Sequence, residues 1–136
     1  ADPDVLRLAW AQIGRVVDAE RAGLIFGCTS FAGADPARHR PALSVLARHA
    51  APACWRPGTK APGAVPLAGA GAGGPADPVA ARRGLPPLLR SYLAMGGWVS
   101  DHAVPDTDLD TLHVFTAVEV ARIPAARARA LRALAV

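Results

Sequence analysis

A few side chains in this sequence could take part in chemistry beyond ordinary packing. Thr29 and Ser30 follow a short apolar run and so stand just beyond a candidate strand. Strand ends in α/β sheets open onto crevices where ligands collect, and the same hydroxyls also suit turn capping. Asp101, Asp106, Asp108 and Asp110 concentrate negative charge around a terminal hairpin, a pattern that serves either a cationic ligand or the local geometry of the loop. His102, His113 and Glu119 are candidate bases acting through a water, and no spacing joins them into a metal site. Cys28 ends an apolar strand with no obvious base beside it, which points to packing rather than nucleophilic chemistry.

The elements that must position these residues are legible from period and punctuation. Asp2-Pro3 reads as a helix start, and Leu6, Ala9, Trp10, Ile13, Val16 and Val17 repeat at helical spacing until Gly23. Leu24 to Cys28 is a continuous apolar run, as expected for a strand buried on both faces. Asp35-Pro36 repeats the cap signal before a short apolar face on Ala42, Leu43, Val45 and Leu46. From Ala50 to Gly84 the composition turns to proline, glycine and alanine around Gly69 to Gly74, which predicts a mobile insertion that buries almost nothing. Leu85 to Met95 predicts a helix stopped by Gly96. Trp98 to Val104 and Thr111 to Val120 predict two strands joined by a loop over 105–110, and Pro124 opens a last, basic helix. Helices around a buried strand and an antiparallel pair imply one α+β domain over 1–136, with a mixed sheet of about three strands flanked by helices.

Length, charge and cysteines narrow the partners. At 136 residues the chain holds one core. A net charge of +4 favours acidic partners, although the arginines are scattered and do not interleave with aromatics, so nucleic acid is not expected. Two cysteines in unlike contexts suggest neither zinc nor a disulfide framework and fit a reduced, cytoplasmic protein. No apolar run approaches a bilayer span, and the N-terminus lacks the regions of a signal peptide, so any membrane contact is expected to be peripheral.

Two stretches carry a family resemblance. Leu24-Ile25-Phe26-Gly27-Cys28-Thr29-Ser30-Phe31-Ala32-Gly33-Ala34-Asp35-Pro36 is similar to the FGCxSFxGxDP segment of ornithine-acyl carrier protein N-acyltransferases, members of the GNAT superfamily. Leu85 to Leu93, with Leu85-Pro86-Pro87-Leu88-Leu89 and Tyr92-Leu93, resembles the same family's LPPLL-x-x-YL region, and Asp108-Leu109-Asp110-Thr111 lies in its D-x-D-x-x-T region. The resemblance covers the family's C-terminal half and leaves out the insertion. It implies a GNAT-like fold in which Leu24 to Cys28 is the fifth strand, Leu85 to Met95 the fourth helix and the later strands the sixth and seventh.

The activity so implied is transfer of a (3-hydroxy)fatty acyl group from acyl carrier protein to the α-amine of ornithine, in ornithine-lipid biosynthesis. The donor is the carrier's acyl-phosphopantetheine, laid between the fourth and fifth strands, and no permanently bound cofactor is required. By the same resemblance Tyr92, the sole tyrosine, would protonate the leaving thiolate, with Thr29 and Ser30 holding the pantetheine arm or the ornithine carboxylate and Asp101, Asp108 and Asp110 the ornithine ammonium. Arg82, Arg83 and Lys60, at the ends of the insertion, would meet the acidic carrier or an anionic lipid at the inner face of the cytoplasmic membrane. Because the family's upstream strands are not in this sequence, the chain alone is expected to be inactive. Two other readings stay open, a non-catalytic fragment or split-protein half that keeps a carrier or membrane surface, and an acyltransferase like the acyl-homoserine-lactone synthases.

Overall fold

The computed structural model describes residues 2–69 and 77–135. Asp2 opens helix α1 (Pro3–Glu20), its carboxylate accepting the Asp4 amide at 2.9 Å while Pro3 sits where a backbone N–H would have no helical partner. The helix stops at Arg21, two residues before the expected Gly23. Arg21 adopts the left-handed conformation (φ 52°), which turns the Ala22 amide back onto the Val17 carbonyl at 3.0 Å.

Strand β1 (Leu24–Ala32) pairs antiparallel along its length with β5 (Thr111–Glu119). On its other side β5 meets β3 (Trp98–Val99) and β4 (His102–Asp106), and β4 meets β2 (Val65–Pro66). The α+β class holds, with more strands than the three expected. The sheet is open, five-stranded and ordered β1-β5-β4-β2 with β3 beside β5. The sheet is antiparallel rather than mixed as expected: every ladder between these strands is antiparallel, and the parallel contact is an isolated bridge from Ala50 to Val99.

The helices pack on one face. Phe31, Leu112 and Val114 join Leu43 and Leu46 of α2 (Arg40–Leu46), Ala81 of α3 (Pro78–Arg83) and Leu89 of α4 (Pro87–Ala94) in the main core. Beside it Val118 and Ile25 meet Trp10, Tyr92 and Leu131, the last from α5 (Ala125–Leu134). Along β5, Leu112, Val114, Thr116 and Val118 are fully buried on the helix side, while Ala117 is buried on the other face against Trp98 and Ala51.

Two expectations fail for a shared reason, which is that apolar content alone does not fix a segment's neighbours. Leu24 to Cys28 is not buried on both faces, because β1 ends the sheet and one of its faces is open; Phe26 is 63% exposed and Cys28 is exposed. Conversely, 50–84 is anchored to the core at three points, although most of its described residues are exposed. Ala51, Leu67 and Ala81 are 1%, 1% and 2% exposed, and the Leu67 amide donates to the Asp101 carbonyl at 2.9 Å. Burying one leucine side chain contributes roughly 1.5–3 kcal/mol, enough to pin a strand as short as β2. The centre of this segment, from residue 70 to 76, lies outside the described residues.

The predicted strand from Trp98 to Val104 is broken by a bulge. Val99 faces Thr116 while Val104 faces His113, five steps on one strand against three on the other, so Ser100 and Asp101 are extra residues. The Ser100 hydroxyl donates to the His102 carbonyl at 2.7 Å and fixes the kink. Bulges of this kind redirect side chains beside functional sites. Among the described residues no helix is long and apolar enough to cross a membrane.

Candidate active site on the open face of the sheet

Strand parity sorts the candidate residues. On β1 the odd positions face the helices and the even positions face away, so Ser30 and Cys28 share the open face with their β5 partners His113 and Phe115, and with His102, Val104 and Asp106 of β4. Cys28, Ser100, His102, Val104, His113 and Phe115 line a shallow depression of about 330 Å³.

One line of polar groups crosses three strands here. Ser30 Oγ lies 2.9 Å from His113 Nδ1, and His113 Nε2 lies 3.3 Å from Asp106 Oδ2 and 3.1 Å from Thr111 Oγ1. Asp106 is held below the ordinary carboxylate value, first by the Leu109 amide and then by His113 and the Asp108 amide. As an anion it can only accept, so a neutral His113 ring donates from Nε2 and accepts the Ser30 hydroxyl proton at Nδ1. A second pair flanks the depression: His102 Nδ1 is 2.8 Å from Asp101 Oδ1 and 3.4 Å from Thr59 Oγ1. Asp101 is likewise lowered, chiefly by the hydrogen bond from His102.

Other candidates fall elsewhere. Thr29 and Ser30 lie within β1, not beyond it, and point to opposite faces. Thr29 is 1% exposed and its hydroxyl is engaged with the Val114 carbonyl (3.3 Å) and Thr116 Oγ1 (2.9 Å), so it cannot hold a ligand. Asp101, Asp108 and Asp110 do not converge on an ammonium, since β4 separates Asp101 from the other two by about 16 Å of strand. Asp110 Oδ1 accepts the Ala34 amide at 2.9 Å, and Asp108 lies exposed in the turn, its amide capped by Asp106. Glu119 is occupied by the Trp55 indole N–H and by Arg122, both at 2.6 Å. Cys28 is exposed rather than packed.

Tyr92 sits on the helix face, 6% exposed, its ring edge-on to Trp10 with centroids 5.0 Å apart. Its hydroxyl reaches β1, 3.8 Å from where a Cβ on Gly27 would project. Desolvation raises the phenol above its ordinary 10.0. Arg82 and Arg83 are exposed in the last turn of α3, and Arg82 flanks a groove with His49, Leu85 and Arg90. Lys60 is exposed beside Thr59, in the segment that borders His102.

The edge of β1 has its own chemistry. Gly33 donates to the Asp110 carbonyl and Val120 to the Gly23 carbonyl, which makes the odd positions of β1 the hydrogen-bonded pairs with β5. The N–H and C=O groups of Leu24, Phe26, Cys28 and Ser30 therefore point outward, and no strand among the described residues meets them.

No family model, curated protein or solved structure matches this chain. Among the described residues no group of three or more His, Cys, Asp or Glu is arranged to hold a metal ion. A loop over 105–110 hides Asp106 as a partner of His113 in the sequence. With the turn at 107–110, parity alone puts Asp106 and His113 on one face.

Proposed function

We propose that this chain is the portion of an N-acyltransferase that receives the acyl-phosphopantetheine arm of acyl carrier protein and passes its (3-hydroxy)fatty acyl group to the α-amine of ornithine or a similar small amine. The observation that carries the reading is the outward backbone edge of β1 with the Tyr92 hydroxyl lying against the helix-side face of the same strand at Gly27. A pantetheine arm is extended and carries two amides, so it can hydrogen-bond such an edge as an added strand does. The edge is that of the strand which the GNAT resemblance makes the donor's wall.

A thioester lying along the edge has Tyr92 on one side of the sheet and the His113 and His102 imidazoles on the other. The amine attacks the carbonyl carbon, its surplus proton passes to an imidazole, and the departing thiolate takes the phenolic proton. Burial raises the phenol, and the same desolvation raises a thiol, so donor and acceptor stay matched. The product is an amphiphile, which places the reaction at the inner face of the cytoplasmic membrane, with the exposed Arg127 and Arg129 of α5 toward anionic headgroups.

The test is a titration of isotope-labelled chain with 3-hydroxyacyl-loaded carrier protein. The reading expects shifts at the amides of Phe26, Cys28 and Ser30 and at Tyr92, larger than those caused by unloaded carrier. Equal shifts with both forms, or none along β1, would reject it.

A further inference from the structure

We infer that Ser30 is an acyl-accepting nucleophile, with His113 as its base and Asp106 as the residue that holds His113 in the productive tautomer. The proposed reaction above needs only direct attack by the amine, and nothing in it uses the Ser30 hydroxyl. Yet Ser30 Oγ is exposed, donates to His113 Nδ1 at 2.9 Å, and the far side of that ring meets a carboxylate at 3.3 Å. A hydroxyl is a weak nucleophile until a positioned base takes its proton and a third group orients that base. Here the roles of the two ring nitrogens are exchanged relative to the serine proteases, which leaves the proton path unchanged. Asp106 is itself fixed, its Oδ1 accepting the amides of Asp108 at 3.1 Å and Leu109 at 3.0 Å.

The site also has a donor for the developing oxyanion. The backbone N–H of Ser30 is one of the outward-facing groups of β1, unpaired with any strand among the described residues, and a nucleophile's own amide is a common member of an oxyanion hole. The substrate class is an acyl thioester or an activated ester. Oγ attacks the carbonyl carbon and its proton moves to His113 Nδ1. The carbon–sulfur bond breaks, and the thiolate leaves with the proton from the imidazolium, which frees Nδ1 again. A primary amine then attacks the seryl ester and gives up a proton to Nδ1, and the carbon–Oγ bond breaks with Oγ reprotonated, yielding an amide. Water in place of the amine yields the free acid.

The inference rests on the acyl-transfer reading only for the identity of the natural acyl group, so its test omits carrier protein. The chain is treated with a fluorophosphonate, and the adduct is located by peptide mass. Modification is expected at Ser30, with the rate lowered about 10²-fold or more in His113→Gln and clearly lowered in Asp106→Asn, whose amide oxygen still caps the turn. Asp106 is a positioning residue, so its effect should appear in the labelling rate while the near-ultraviolet spectrum of the folded protein is unchanged. Ser30→Ala removes only an exposed hydroxyl. It should abolish the burst of p-nitrophenol released from p-nitrophenyl butyrate that the unsubstituted chain is expected to give. Labelling confined to other residues, or Ser30 labelling at one rate in all three proteins, or a burst that survives Ser30→Ala, overturns the inference. If Ser30 is labelled but carrier protein does not bind, the acyl-carrier reading fails and the nucleophile stands. If carrier binds β1 without Ser30 reactivity, the reverse holds.

Discussion

The hydroxyls of Thr29 and Thr116 meet at 2.9 Å on the buried face of the sheet, on adjacent strands two residues apart in register, and both also reach the Val114 carbonyl. This pair occupies what would otherwise be apolar positions between the two helix-side core clusters. Thr29→Val and Thr116→Val should each cost about 1 kcal/mol, because a single replacement leaves the other hydroxyl with one partner fewer. The double variant should cost less than the sum. Urea unfolding of the four proteins in the cycle measures this coupling, and strict additivity would mean the hydroxyls do not interact.

Gly97 allows α4 to turn into β3. A Cβ there would stand 2.6 Å from the Ala117 carbonyl oxygen and 2.7 Å from that of Tyr92, both backbone atoms that cannot swing aside. Gly97→Ala is therefore expected to destabilise the fold by roughly 1–3 kcal/mol, read as a lowered melting temperature. An unchanged melting temperature would mean that α4 sits farther from β5 than described.

Tyr92→Phe separates chemistry from packing. The ring keeps its edge-on contact with Trp10, so stability should change little, while in the complete acyltransferase of the proposed reading the chemical step should slow about 10²-fold or more if the phenol supplies the proton. Because burial raises the phenol above 10.0, the unsubstituted tyrosine stays protonated through mildly alkaline pH. Loss of the acid limb should thus appear only above that value. Single-turnover rates at several pH values are the measurement.

Acid stability follows from Asp101 and Asp106. Both carboxylates lie below the ordinary 3.8 in the folded protein, Asp101 through His102 and Asp106 through the Leu109 amide first. A depressed carboxylate stabilises the fold above its unfolded value and loses that contribution as pH falls through the folded one. Thermal unfolding followed from pH 5 down through pH 3 should show a smaller loss in the Asp101→Asn, Asp106→Asn double variant than in the parent. An equal loss would assign acid sensitivity to other groups.

The basic end of α3 should matter for partners rather than for folding. Arg82→Glu with Arg83→Glu alters two exposed side chains and should weaken carrier-protein binding in a manner that fades at high salt. Binding isotherms at two ionic strengths decide it.

Element types were legible in the sequence because each had a local cause: Asp2 and Asp35 as caps, Gly96 as a stop, and the alternation from Leu112 to Val118. The burial of β1 was not, since an apolar run of five residues says nothing about whether a strand ends the sheet. The bulge at Ser100 and Asp101 was also hidden, because no glycine or proline marks it and only pairing with β5 exposes the mismatch. For the candidate site, Ser30 and His113 were visible as residue types. Their contact depends on register across 83 positions of chain, and register is a property of the folded ladder.

The edge of β1 that no strand among the described residues pairs with affects how the protein behaves in the tube. Nine consecutive residues, Leu24 to Ala32, contain no charge and no proline, the devices by which exposed sheet edges normally repel one another. Two molecules can align these edges antiparallel, bringing Phe26 and Cys28 of each beside the other. Concentrated solutions should then form dimers that air oxidation locks through Cys28. Reductant, or a lysine placed at Phe26, should keep the protein monomeric.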